Sequence, residues 1–269
     1  MKILLTGHRG FIGSHMLKAL AGHDVRTYNW GDDTDLLTTH DRDVCIHIGG
    51  ISSTTERDVD KIMRQNYDFS CQLLDRCMNT GTHFQYSSSA SVYGLNQEFR
   101  EDSPVDPRTP YAWSKYMFER YAIKLQESAY YASDRIQGFR YFNVYGSGEA
   151  HKGGQASPYY QFEKQARETG RICVFEGSRE YRRDFVPVSQ VIDTHLAFLN
   201  VKQSGVFNVG TGRTQSFYEI AERFGVPIQE IPMPDHLKFS YQTYTCADMT
   251  KTQKVKKFGH FGKISQTRG

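Results

Sequence analysis

Over its first 150 residues the chain alternates between short apolar runs and longer stretches with apolar residues at helical spacing. Lys2–Thr6, Asp24–Tyr28, Asp43–Ile48, His83–Ser87 and Arg135–Asn143 read as strands. Between them, Phe11–Ala21, Asp58–Thr80 and Pro110–Ser128 read as helices, with Gly22 and Gly81 stopping the first two. This alternation predicts an α/β fold, a parallel sheet with helices on both faces.

The texture changes after the glycine-rich loop Gly146–Ser157. Pro158–Thr169 and Ser216–Phe224 read as helices, and Ile172–Phe175, Asp184–Val188 and Val206–Val209 as short strands separated by polar loops. Lys251–Gly269 is basic and shows no helical periodicity. No repeat or separating linker is visible. The expected organisation is a sheet domain over residues 1–150 and a smaller lobe over 151–269, with one or two elements returning to the sheet.

Composition narrows the class only a little. With 23% charged and 38% hydrophobic residues, the 269-residue chain is ordinary for a soluble globular protein. A net charge of +3 gives no argument for a nucleic-acid or membrane partner. Five cysteines, an odd count with no Cys-x-x-Cys, point to a reducing compartment and to neither a disulfide framework nor a metal site. The longest apolar run falls short of the roughly 18 residues of a membrane span. The chain opens directly on a strand pattern, so a cytoplasmic protein without a signal peptide is expected.

Candidate chemistry begins between the first strand and helix. Gly7, Gly10 and Gly13 form Gly-x-x-Gly-x-x-Gly there, the arrangement in which a tight turn lets backbone N–H groups and a helix N-terminus meet a pyrophosphate. The end of the second strand, where a carboxylate would hold a ribose 2′-hydroxyl, reads Tyr28-Asn29-Trp30. The missing acid, together with Arg9 in the loop, favours a 2′-phosphate and hence NADP over NAD; a solvated Arg9 is the bland alternative.

Tyr111 and Lys115 stand four residues apart, on one face of a helix. A nearby ammonium favours the phenolate, which can take a hydroxyl proton. Such a pair is also common on exposed helices. A serine cluster about twenty residues earlier, Ser87-Ser88-Ser89, could hydrogen-bond the reacting oxygen, though it could equally be loop composition.

The glycine loop, Ser87–Gly94, Tyr111–Lys115 and Gly138–Gly146, in this order, resemble the extended short-chain dehydrogenase/reductases of the NAD-dependent epimerase/dehydratase family. The resemblance implies a Rossmann-type doubly wound parallel sheet with a smaller C-terminal substrate-binding lobe. Further segments are similar to the ADP-glycero-manno-heptose 6-epimerases within that family: Ser52–Glu56, His151–Gly153, Phe175–Ser178, Arg182–Val186, Phe207–Arg213 and Pro232–Lys238.

Carried over residue by residue, the resemblance implies Tyr111 and Lys152 as acid/base groups on opposite faces of the reacting carbon. Lys115 would lower the Tyr111 pKa and hold the nicotinamide ribose. Ser89 would orient the substrate oxygen, with Ser88 as fallback. Phe11 and Ile12 would lie along the pyrophosphate; Asn29 is a further cofactor-binding candidate, although the family's adenosine-ribose contacts in the short region after the second strand have no clear counterparts here. Ile48, Gly49, Gly50, Ile51 and Ser52 would pass beside the cofactor, braced by Asn66, with Val144 also touching it. Ser53, Asn143, Phe175, Glu176, Gly177, Ser178, Arg183 and Tyr241 would hold a nucleotide sugar. Bland readings stand beside these: a solvated Lys152, a surface ion-pair patch at Arg182–Asp184, a packing role for Tyr241.

Three departures from the family pattern are visible. The region after the second strand is short, Gln161 replaces a substrate-side histidine, and the usual final helical segment is absent. The implied activity is epimerisation at C6 of an ADP-heptose with bound NADP, in a possible homo-oligomer. The alternatives are a 4-epimerase or dehydratase of the same family, or a non-catalytic dinucleotide-binding protein.

Overall fold

The structure, a computed structural model, describes residues 1–127, 135–238 and 241–256. The first part of the chain folds as β1 (Lys2–Thr6), α1 (Phe11–Ala19), β2 (Asp24–Tyr28), β3 (Val44–His47), α2 (Val59–Ile62), α3 (Phe69–Thr80), β4 (His83–Ser89), α4 (Pro110–Gln126) and β5 (Ile136–Tyr141). With β6 (Asn143–Tyr145), α5 (Pro158–Thr169), β7 (Ile172–Phe175), β8 (Arg182–Arg183), β9 (Phe185–Pro187), α6 (Val188–Phe198) and β10 (Gly205–Val209) it reaches the last strand of the main sheet. Then follow β11 (Gln215–Ser216), α7 (Phe217–Glu222), β12 (Ile228–Ile231) and α8 (Asp235–Lys238).

The main sheet runs β10-β5-β4-β3-β1-β2, parallel throughout. Its inner strands are buried along nearly their whole length, so they do not alternate between apolar and polar faces. One face packs Ile3, Leu5, Val44 and Ile46 against α1 and α6. The other packs Leu4, Cys45, Phe84 and Tyr86 against α3 and α4. Strand order reverses between β1 and β3, and ligands of such sheets bind outside the strand ends at that crevice.

Several sequence expectations are corrected. Val188–Phe198 is a helix, not the end of a strand and a polar loop; its apolar residues Val188, Val191 and Ile192 bury against the sheet, and Pro187 precedes the first turn. Residues 250–256 are helical, where no periodicity was expected; Met249 and Val255 bury in the core beside β10. Residues 257–269 and Ser128, the last residue of the helix expected from Pro110, lie outside the described residues. Residues 228–231 form the unexpected β12, paired with β7. The expected helix over Asp58–Thr80 is interrupted by a π-helical turn, Met63–Asp68, which carries Asn66.

The lobe beyond the sheet has its own small core of Phe162, Ile172, Val174, Phe185 and Ile220. Asp184 pins it to the sheet side. Its fully buried carboxylate accepts the N–H of Thr211 (2.8 Å), the Thr211 hydroxyl (2.7 Å), the N–H of Gly212 (2.9 Å) and the N–H of Ala247 (3.1 Å).

Candidate active site

A cleft of about 700 Å³ opens at the carboxyl ends of the strands. Its floor is the β1–α1 loop. Gly7 takes φ +78°, and a Cβ there would lie 2.6 Å from the Gly49 Cα; a Cβ on Gly13 would collide with the Gly7 carbonyl. Only glycine permits this approach of loop, helix and β3 end, so the cradle for a phosphate is built into the backbone. Behind it, Thr6 accepts the N–H of Gly49 (3.2 Å) and donates to His47 Nδ1 (2.6 Å), while His47 Nε2 bonds the Ser70 hydroxyl (2.8 Å). Burial pushes the His47 imidazole down to about 3, so it stays neutral and serves as a brace.

Of the sequence candidates, Gly7, Arg9, Gly10, Phe11, Ile12, Gly13, Asn29, Ile48–Ser52, Ser89, Tyr111, Lys115, Asn143, Val144 and Lys152 all line this cleft. Asn66 does not line it. It is buried behind it, accepting the Ile51 N–H (2.7 Å) and donating to the Ile51 carbonyl (3.0 Å) and to Ser114 (3.1 Å). Ser53 bonds Thr55 instead and is not among the lining side chains.

Helix α4 presents the Tyr–Lys pair. Thr109 caps it by accepting the Ala112 N–H, and Pro110 opens the first turn. Lys115 is buried and donates to the Ser87 carbonyl (3.1 Å), with its Nζ 6.0 Å from the Tyr111 ring centre. Burial pushes the ammonium down to about 8, against the opposing pull of Glu119. Burial also raises the Tyr111 hydroxyl, with a hydrogen bond from Ser89 acting the other way. Within the protein alone, desolvation of this buried phenol outweighs the Ser89 hydrogen bond. Ser88, the fallback for Ser89, also lines the cleft, and its hydroxyl donates to Glu119, which is fully buried and paired with Arg140 (2.6 Å).

Lys152 sits in a short 3-10 stretch, Ala150–Gln155, and reaches into the cleft with its Nζ 4.9 Å from the Phe11 ring centre. Glu149, which sequence reasoning missed, holds it. This fully buried carboxylate accepts Lys152 Nζ (2.9 Å), the Gly146 N–H (3.1 Å), the Ser157 N–H (2.7 Å) and the Ser157 hydroxyl (2.6 Å). Gln161 donates to the Gly153 carbonyl (2.6 Å), and Gln155 donates to Thr55 (3.1 Å), tying the loop to the segment after β3. Tyr141 was also missed. It lines the cleft and donates to His195 Nε2 (2.5 Å), whose other nitrogen donates to Gln85 (2.9 Å).

The remaining substrate candidates are not in the cleft lining. They gather in the lobe: the Arg183 guanidinium lies 5.1 Å from the Tyr241 ring and 5.6 Å from Phe217, and Phe175 meets Tyr241 edge-on at 6.3 Å. Phe175 accepts the Ser178 N–H (3.0 Å) across the turn that carries Glu176 and Gly177. Arg183 Nη1 is buried with no hydrogen-bond partner among the described residues, and burial pushes the guanidinium down to about 10. A buried, unneutralised guanidinium is costly unless an anion completes it.

A phosphate cradle, a buried Tyr–Lys pair and a lysine across the same cleft meet the comparison with known proteins at this point. Residues 3–210 match the model of the NAD dependent epimerase/dehydratase family. The chain belongs to this family. As in other members, the fold is a Rossmann-type doubly wound α/β sheet. Among solved structures, it is similar to the Helicobacter pylori ADP-L-glycero-D-manno-heptose-6-epimerase, with TM-score 0.83 and 24% identity over 96% of this chain and 90% of that one. It is similar also to a UDP-N-acetylglucosamine 4-epimerase from Methanobrevibacter ruminantium (TM-score 0.84, 22% identity, 99% of each chain). A third is the Thermus thermophilus UDP-glucose 4-epimerase in complex with NAD (TM-score 0.78, 23% identity, 94% and 92% of the two chains). Among the described residues, this family member has no helix long and apolar enough to cross a membrane, and no cluster of groups fit to hold a metal.

Proposed function

We propose that the protein is a nucleotide-sugar epimerase that inverts C6 of an ADP-heptose with NADP as resident cofactor. The observation that carries this reading is Lys152: it lines the same cleft as Tyr111 and Ser89 but comes from the opposite side of the sequence, on its own loop. An epimerase at one carbon needs two proton-transfer groups, because the hydroxyl is presented in two orientations.

The glycine cradle fits a dinucleotide, and Gly7–Gly13, Ile48–Ser52, Lys115 and Val144 are the residues to hold it. When bound, the nicotinamide supplies a hydride acceptor and donor with no net redox change. Ser89 holds the sugar hydroxyl toward Tyr111. One of Tyr111 and Lys152 removes the hydroxyl proton as the carbon is oxidised, and the other returns a proton to the ketone oxygen after the reacting end has turned over. The unneutralised Arg183, among Phe217 and Tyr241, suits the diphosphate of the nucleotide sugar.

The test is a product assay by NMR with ADP-heptose, and with ADP-, UDP-, GDP- and CDP-hexoses beside it. Inversion at C6 of the ADP-heptose is expected, lost in Lys152→Met while the cofactor stays bound. Unchanged turnover by that variant overturns the two-base assignment; turnover of a hexose at C4 instead overturns the substrate.

A further inference from the structure

Five buried polar side chains form a hydrogen-bonded chain inside the protein, and one end of it lies in the cleft. His83 and Gln85 stand on β4, Gln137 and Tyr141 on β5, and His195 on α6. The direction of every bond in the chain is fixed from the end away from the cleft. Gln137 Nε2 meets the carbonyls of Val201 (2.9 Å) and Gln203 (3.0 Å). Carbonyls only accept, so the amide nitrogen stands on that side and Gln137 Oε1 faces the other way. There it accepts from His83 Nε2 (2.8 Å) and from Gln85 Nε2 (3.1 Å), which also donates to the His195 carbonyl (3.2 Å).

Gln85 therefore turns its oxygen to His195 Nδ1 (2.9 Å), and that nitrogen must carry the proton. Burial pushes the imidazole down to about 3, so it holds one proton only and Nε2 is bare. The Tyr141 hydroxyl, 2.5 Å from Nε2, has to donate to it. Burial, and after it the Tyr111 phenol, push the Tyr141 hydroxyl up, so the proton stays in place. A phenol has a single proton, and this one points into the protein. Toward the cleft, which Tyr141 lines, only lone pairs remain.

Tyr141 is the register partner of Ser89 on the neighbouring strand, and both line the cleft together with Tyr111. The hydroxyl that is oxidised gives up its proton, so it is no lasting partner for an acceptor. A neighbouring hydroxyl keeps its proton through both hydride transfers.

We propose that Tyr141 is a specificity-determining residue, an acceptor-only group that takes a hydrogen bond from a sugar hydroxyl beside the one oxidised, with Gln137, Gln85 and His195 as positioning residues that hold its proton away from the cleft. This rests on the epimerase reading above. A contact kept unchanged in alcohol, ketone and transition state acts on KM and not on kcat.

The proton positions are read on the unsubstituted protein by nitrogen-15 NMR, with the His195 ring assigned through its backbone. A protonated Nδ1 and a bare Nε2 are expected. With ADP-heptose, Tyr141→Phe is expected to raise KM about threefold to tenfold, the range of one neutral hydrogen bond, and to leave kcat and NADP affinity within about twofold. ADP-sugars carrying fluorine in place of single hydroxyls, a group that cannot donate, are titrated by calorimetry into the NADP-loaded protein. One position is expected to weaken binding to the unsubstituted protein by a similar factor and to add nothing further in Tyr141→Phe. A proton on Nε2 overturns the acceptor-only assignment. An unchanged KM in folded Tyr141→Phe, or weakened NADP binding in its place, overturns the sugar contact, as does a set of fluorinated sugars that all bind like the parent. Absence of turnover with every nucleotide sugar offered to the unsubstituted protein overturns the epimerase reading itself, and this contact with it.

Discussion

Lys152 Nζ lies 2.9 Å from Glu149 Oε2, a cation that reaches the cleft tethered to a carboxylate with no exposed surface. The same carboxylate gathers both ends of the loop, Gly146 and Ser157. Glu149→Ala strips four donors of their acceptor at once and is expected to cost about 3 kcal/mol or more, since removing one partner of a buried pair leaves the others uncompensated. Glu149→Gln keeps the shape and one accepting oxygen, enough for two of the four donors, and is expected to lose less. Chemical denaturation of the two variants checks the order; equal stability of Glu149→Ala and the parent would refute it.

Lys115 carries a pH signature. Its ammonium is held near 8 by burial, against an ordinary value of 10.5. Between those values the unfolded chain keeps a proton that the folded chain has released, so this residue's contribution to stability rises with pH across that window. Compared with Lys115→Met, the parent is expected to gain relative stability from pH 8 to pH 10.5 in urea unfolding. A difference between the two that stays flat over that range would exclude the buried lysine as its source. Over the same range the charge that holds the Ser87 carbonyl is lost, so turnover is expected to fall as pH rises through about 8.

The two neighbouring serines separate structure from chemistry. Ser88 donates to the buried Glu119, whereas Ser89 faces Tyr111. Ser88→Ala is expected to lower stability by about 1–3 kcal/mol, the cost of an incompletely satisfied buried carboxylate. Ser89→Ala removes a hydroxyl that accepts the Ser91 N–H (3.2 Å) at the turn after β4, so it is expected to cost about 1 kcal/mol or less of stability and to reduce kcat. Thermal melts and single-turnover rates on both variants distinguish them; the reverse pattern would exchange their roles.

Asp184 joins the lobe to the sheet through Thr211, Gly212 and Ala247. Asp184→Ala orphans those donors and is expected to destabilise by about 3 kcal/mol or more. Hydrogen exchange should then show faster opening at Thr211, Gly212 and Ala247 before the β1–β3–β4 core opens. Uniform loss of protection across the whole sheet would argue that the residue is not a local clasp.

What the sequence determined by itself is the short-range part. Strands buried on both faces read as near-continuous apolar runs, as β1 and β3 do, while β4 and β5 carry buried polar residues such as Gln85, Gln137 and Arg140 whose partners lie elsewhere in the chain. The glycine loop is dictated by backbone contacts that no Cβ survives, and Tyr111 and Lys115 share a helix face because four residues make about one turn. Helix α6 was missed: Val188, Val191 and Ile192 stand at helical spacing, but Val and Ile also favour strands, and packing against α1 is what selects the helix.

Tertiary structure decided the rest, because burial and partners are properties of long-range contacts. Nothing local marks Glu149 or Asp184 as buried; each becomes an anchor only when loops distant in sequence converge on it. Ser88 and Ser89 are indistinguishable as letters and are separated only by the Glu119–Arg140 pair behind one of them. Arg9, the cation in the glycine loop, proves engaged by Asp32, because the turn after β2 brings that carboxylate to it.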